Sequence, residues 1–357
     1  MSAGQLALSY TGVFLGAGFV SGQELWQFFA CFGAVGLLGF LGTAALFFYV
    51  DYAALRLVLT TGQEDMGRIF TPGDRPGLRG VVTAMQGLLL FGVTVIMIAG
   101  AAVLVAQLTG LPAWLGGLVF TAVVSLVALL GMDGLVATFS FVVPLTTSCA
   151  VVLGGATLIR GGFQVAPAAG SVSALVPNWV VGFFTYAAYN LFGTICILVP
   201  MARRLPDLTT LKRGLAGGSG ILILLAWSII AALVVRPEAG GEELPMAVLA
   251  GMLHPALEKG YDLLMGAGMF SAALSSVVAL VSQCALHWPA VARRQRTATS
   301  LLLLGGWLLS LAGFGNLIGV IYPVFGYAGI PFLMILVRNW LQAKAAANPS
   351  GRNEELL

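Results

Sequence analysis

The stretch 14-FLGAGFVSGQELWQF-28 places a carboxylate and three glycines inside an otherwise apolar run. Glycine weakens a helix and lets a ligand approach bare backbone closely. In lipid, irregular backbone persists only where it faces protein or a wet cavity. A break at Gly16-Ala17-Gly18-Phe19 would free carbonyls to hold a cation and N–H groups to hold an anion. Ser21, Gln23 and Glu24 follow at once. Glu24 is the residue best suited to chemistry, because an ionisable group on a span is costly and by default functional. Two plainer readings compete. Gly12-x-x-x-Gly16 is also a small-xxx-small packing pattern, and Glu24 lies far enough along the run to reach the interface.

Two further clusters carry polar groups on apolar spans. In 183-FFTYAAYNLFGTI-195, Tyr186, Tyr189, Asn190 and Gly193 fall at i, i+3, i+4 and i+7 and share one helical face. They would form either an interior hydrogen-bond network or a solute wall, since tyrosine is large, stiff and polar at one end. In 267-AGMFSAALSSVVALVSQ-283, Ala272, Ser275 and Ser276 present a carbonyl and two hydroxyls on one face. Such oxygens suit a hard monovalent cation. Serines in membrane helices also commonly bond back to the preceding turn.

The remaining chemistry-bearing residues are scattered. Cys31, Cys149, Cys196 and Cys284 lie in or beside apolar segments without metal-ligand spacing, and His254 and His287 fall in polar connections. No metal centre is expected beyond a bound Na⁺. Asp51 reads as a structural partner of Arg56, and Asp262 as an acid suited to a helix N-terminus. Gln86, Gln283 and the Tyr322-Pro323 pair are secondary lining or kink candidates.

The elements that must position these groups are membrane helices. Hydrophobic residues make up 59% of the chain and charged residues 9%, against about 25% charged in a soluble domain, so lipid is the solvent. The N-terminus carries no basic signal-peptide pattern. Ten spans are predicted, at 5–30, 33–58, 81–109, 113–131, 135–159, 178–201, 215–235, 261–286, 299–314 and 316–338. A Gly-Phe-Gly-Asn turn separates the last two, and 242–258 reads as a short interfacial or re-entrant helix. With the N-terminus cytoplasmic, only Arg160, Arg236 and Lys259 of the 17 basic residues fall outside, leaving 14 inside. Both termini are therefore expected in the cytoplasm. The chain reads as one transmembrane domain, 1–341, with a polar cytoplasmic tail at 342–357. The net charge of +3 and the lack of a basic block point away from nucleic acid.

The first and sixth spans, each with its anomaly, begin two five-span halves, about 5–160 and 178–338. An odd number of spans per half gives the halves opposite topology. Interrupted segments in corresponding positions of two halves point to a transporter's binding site. Gly12-Val13-Phe14-Leu15-Gly16-Ala17-Gly18-Phe19 resembles the G-x-x-x-G-[SA]-G-[IVF] signature of the amino acid–polyamine–organocation (APC) superfamily. Phe183 to Asn190 is similar to that group's F-x-[AS]-[FY]-x-G-[FY]-[ED] run, with Ala188 in place of the glycine and Asn190 in place of the acid. The whole chain looks more specifically like the YkvI-type family of bacterial membrane proteins. The resemblance implies an all-α fold in a 5+5 inverted repeat of the leucine-transporter kind, with helices one and six unwound mid-span and solute bound between them. It also implies a Na⁺ between the carbonyls of Gly12 and Leu15 and the Ala272, Ser275 and Ser276 face.

These readings converge on a secondary transporter of a small polar solute, an amino acid or amine-bearing metabolite, coupled to Na⁺ or H⁺. Gly16, Ala17, Gly18, Phe19, Ser21, Gln23 and Glu24 would form one wall and Tyr186, Tyr189 and Asn190 the other. The chain has no Walker motif to use ATP and no nucleophile–base pair for an enzyme. A membrane receptor that keeps the fold and only binds its ligand is the main alternative.

Overall fold

The computed structural model describes residues 1–62, 65, 68–69, 76–161, 168–242, 244–312, 322, 324–335 and 337–338. The Gly-Phe-Gly-Asn turn, the start of the tenth expected span and the 342–357 tail lie outside the described residues. No strand occurs among the described residues.

The first expected span is three helices: α1 (Ala3–Phe14), α2 (Ala17–Ser21) and α3 (Gln23–Phe28). Ser2 opens α1 with a capping box, its hydroxyl accepting from the Gln5 N–H while the Gln5 side chain accepts from the Ser2 N–H. The chain then leaves the helix at Leu15 and Gly16. Gly16 is extended (φ −84°, ψ 174°), and its carbonyl accepts from Val20 N–H to start α2. A second break falls at Gly22, which adopts a left-handed φ of 84°. A side chain there would be strained, and its Cβ would sit 3.0 Å from Met246.

After a one-turn 3₁₀ segment (Ala30–Phe32) come α4 (Val35–Thr61), α5 (Pro76–Thr109), α6 (Ala113–Ala128), α7 (Gly131–Gly161), α8 (Trp179–Ala202) and α9 (Leu208–Val235). Two short helices, α10 (Pro237–Gly240) and α11 (Pro245–Leu253), precede α12 (Pro255–His287). Then follow α13 (Pro289–Arg293), α14 (Gln295–Ser310) and α15 (Val324–Ile335). The expected helix at 242–258 is thus shorter. His254 ends it and caps α12, its Nδ1 accepting from the Ala256 N–H, so 255–258 belong to the next span. Asp262 accordingly lies two turns inside α12 rather than at its start.

Among the described residues, six helices are long and apolar enough to cross a membrane: α4, α5, α7, α8, α9 and α12. α6 and α14 have 16 residues each, roughly 24 Å of helix against a hydrocarbon core of about 30 Å. These long apolar helices make the chain a multi-pass membrane protein.

The sixth span is not unwound. α8 runs unbroken for 24 residues through Tyr186, Tyr189 and Asn190. Asn178 caps it, accepting from the N–H groups of Val180 and Val181. The physical reason stands in the sequence: Ala188 occupies the position where the resemblance calls for glycine, and alanine is the strongest helix former.

The helices pack in two groups. α1, α3, α4, α8 and α9 form one; α5, α6, α12 and α14 form the other, with α2 against α12 and α7 against both. In the first group α1 lies tight on α9: a Cβ at Gly214 would meet Leu6, and one at Gly218 would meet Tyr10. The Thr11 hydroxyl bonds across to the Gly218 carbonyl at 3.1 Å.

Candidate solute-binding site

The breaks in the first span aim Glu24 inward. From the first turn of α3 its carboxylate turns back to α8, where the Tyr189 hydroxyl donates to Oε2 at 2.6 Å. Glu24 is 6% exposed. Gly18 makes the room, since a Cβ there would fall on the Glu24 carboxyl group. Tyr322 stacks on Tyr189, with ring centroids 4.9 Å apart and planes within 9°. On the α3 side, Phe28, Phe29, Phe40 and Phe47 surround the Tyr186 ring and close that end.

Beside this pair lies a cavity of about 60 Å³ between the two helix groups. It has room for a few waters at most and is far below the volume of a typical ligand pocket, so the site is contracted in this state. Gly16 and Glu24 line it from the broken helix, Tyr189 and Asn190 from α8, Val93 and Met97 from α5, and Ala272, Ser275 and Ser276 from α12. The other expected wall residues lie behind the lining. Phe19 packs edge-on against Phe40. The Ser21 hydroxyl bonds the Gly18 carbonyl and accepts from Gln23 N–H. The Tyr186 hydroxyl and Gln23 Oε1 are buried without a hydrogen bond. Gly18 shapes the break instead of the cavity wall. Asn190 donates to its own helix, to the Tyr186 carbonyl at 3.0 Å.

Of the cation-site candidates, Ala272, Ser275 and Ser276 line the same gap. The Leu15 carbonyl lies against Gly268 of α12, one turn before Ala272. Both serine hydroxyls donate to the Ala272 carbonyl, at 3.1 Å from Ser275 and 2.7 Å from Ser276, and Ser276 also shares a 2.9 Å bond with Thr94 of α5. The Gly12 carbonyl accepts from Leu15 N–H, and a Cβ at Gly12 would collide with Phe139. No cluster of metal-ligating side chains occurs among the described residues.

Asp51 does not pair with Arg56. Asp51 is wholly buried and Arg56 exposed. Five residues on a helix turn the second side chain about 140° from the first, whereas neighbours sit three or four apart. Gln86 and Gln283 line a separate cavity of about 820 Å³ between α5 and α12. Sequence reasoning missed the α5 wall, Val93 and Met97, and Thr94, whose hydroxyl meets Ser276. The ring of Tyr322, which with Pro323 reads from sequence as a kink or gate, covers Tyr189.

No family model matches the chain. It is 26% identical over 343 residues to the uncharacterized membrane protein YkvI of Bacillus subtilis (strain 168), covering 94% of this chain and 95% of the relative. The YkvI-type resemblance thus extends over nearly the whole length. The fold is shared with two solved structures, one of them named as a transporter. MhsT in complex with L-phenylalanine superposes with a TM-score of 0.65 at 18% identity, over 93% of this chain and 87% of that one. The nucleobase-cation-symport-1 family transporter MHP1, closed with bromovinylhydantoin bound, superposes at 0.60 and 12% identity, over 90% and 74%. The leucine-transporter-like fold implied by the first-span signature is the fold of this chain, with the sixth helix intact as its departure.

Proposed function

We propose that the chain is a secondary active transporter of a small polar solute, an amino acid or another amine-bearing metabolite, coupled to Na⁺ or H⁺. The observation that carries this is Glu24, presented from a twice-broken helix into a contracted cavity between two separately packed helix groups. A solute ammonium would pair with the Glu24 carboxylate. A carboxyl or other acceptor on the solute would meet the N–H groups that start α2. Tyr189, under Tyr322, holds the carboxylate in place. Rocking one helix group against the other would open the cavity to each side in turn. α11, whose Met246 packs on Gly22, would act as the lid over α2 and α3. The 14-to-3 distribution of basic residues supports cytoplasmic termini in a bacterial inner membrane. Fold neighbours that bind L-phenylalanine or carry a cation-symport name support the solute and ion classes.

Two expected results test this reading. Gly16 has a φ of −84° and open space where a Cβ would go. Gly16→Ala should change unfolding by no more than about 0.5 kcal/mol, yet weaken solute binding, because the methyl projects into a cavity of about 60 Å³. Thermal unfolding beside solute titration checks both halves, and unchanged binding would remove Gly16 from the site. For the ion, Na⁺ should stabilise the purified protein over K⁺ by about 1.4 kcal/mol at tenfold its Kd. The double variant Ser275→Ala, Ser276→Ala should abolish that gain. A Na⁺ effect that survives in the double variant places the ion elsewhere.

A further inference from the structure

A second buried carboxylate lies in the first helix group and takes no part in the solute site. Asp51 of α4 is 0% exposed. The Tyr10 hydroxyl of α1 lies beside it, and the Ser219 hydroxyl of α9 lies beside Tyr10. All three groups are outside hydrogen-bonding geometry, so both Asp51 oxygens, Tyr10 Oη and Ser219 Oγ are buried without a partner. Buried polar groups are otherwise almost always bonded, and four such oxygens at one seam call for an explanation.

Charge pairing does not supply it. No ion pair to Asp51 occurs among the described residues. The basic residues of the neighbouring elements, Arg56 on α4, Arg203 and Arg204 after α8, and Lys212 and Arg213 on α9, are all exposed. The titratable groups on the packed faces are Tyr10 on α1 and, through Phe47 one turn away, Tyr186 on α8. Ionising a carboxylate in such surroundings costs several kcal/mol. A Na⁺ would need more oxygens than one carboxylate and two hydroxyls, and α1, α4 and α9 are unbroken helices here, with no freed carbonyls to add. A proton needs no such shell.

We propose that Asp51, with Tyr10 and Ser219, is a proton-binding site in the seam between the half-helix α1 and helices α4 and α9, and that α1 leaves the seam when the proton does. The seam is suited to such a step. α1 ends at the Leu15–Gly16 break, so it can swing without disturbing α2. Its grip on α9 is the Leu6 and Tyr10 contact with Gly214 and Gly218 and the Thr11 hydroxyl bonded to the Gly218 carbonyl. Loss of the proton would leave an unpaired charge that only water can solvate, and water enters only if α1 moves away. The proton's role as coupling ion rests on the transporter reading; its binding does not.

The test uses the full-length protein in lipid, without solute. Infrared difference spectra between acidic and alkaline buffer should show a protonated-carboxyl C=O band that is lost on alkalinisation. The band should be absent from Asp51→Asn and retained in Glu24→Gln. Deuterium uptake by residues 3–14, corrected for the intrinsic pH dependence of exchange, should rise in the wild type as the band is lost and stay low in Asp51→Asn. A band unaltered by Asp51→Asn, uptake that does not follow it, or displacement of the band by Na⁺ at constant pH would each overturn the proposal. If Asp51→Asn does not fold, Tyr10→Phe and Ser219→Ala keep the carboxyl, and both should shift the pH at which the band is lost. An unshifted pH in both would overturn the proposal as well. A band assigned to Asp51 in a protein that exchanges no solute would sink the transporter reading and leave this site standing.

Discussion

Glu24→Gln should leave the protein folded and weaken solute binding by about 30-fold or more. The amide keeps the shape of the carboxylate and can still accept from Tyr189, whose hydroxyl lies 2.6 Å from Oε2. It cannot match an ammonium. Removing one partner of a buried charge pair costs about 2–5 kcal/mol, and about 2 kcal/mol corresponds to roughly 30-fold in Kd. Tyr189→Phe separates positioning from charge. The ring stays stacked on Tyr322, and only the hydroxyl that holds the carboxylate is lost. A hydrogen bond to a charged group contributes about 1.5–3 kcal/mol, so binding should fall at least about tenfold. Calorimetric titration of both variants checks the pair. Wild-type affinity in Glu24→Gln would remove the carboxylate from solute recognition.

Gly18→Ala should abolish the same binding through geometry alone. The added methyl falls on the Glu24 carboxyl group and its Cγ. Phe19 and Val20 beside it are fully packed, so Glu24 must give way and lose Tyr189. Overpacking of this kind costs about 1–3 kcal/mol of stability. The expected outcome is a folded, somewhat destabilised protein that binds solute no better than Glu24→Gln. Thermal unfolding and titration on one preparation report the two effects together. The contrast with Gly16→Ala sharpens the reading, because there the methyl meets open space. A Gly18→Ala protein with wild-type binding would mean that Glu24 is not held where α3 presents it.

Much of this arrangement was legible in the residues. Glycine clusters and a carboxylate on an apolar run announced the break, because both are expensive in lipid unless a cavity or a partner justifies them. The spacing of Tyr189 and Asn190 placed them on one face, and they share a cavity. Tyr186, on the same face, was not separable from them by spacing alone. Its ring is taken up by Phe28, Phe29, Phe40 and Phe47 from helices remote in sequence. The intact sixth helix was legible in part, since Ala188 stood where a glycine would have been needed to break it. The depth of Asp51 was not legible. A lone acid five residues before an arginine reads as a pair until the helical angle between them is set against the packing of α1 and α9.

The central claim is that a solute held at Glu24 crosses the membrane. Counterflow in proteoliposomes tests it most directly. Vesicles loaded with a candidate amino acid or amine that stabilises the purified protein are diluted into a trace of the labelled compound. The account predicts transient accumulation of label in wild-type vesicles, and none with Glu24→Gln. A compound that binds tightly at Glu24 but never exchanges would contradict transport and make the protein a receptor on a transporter's fold.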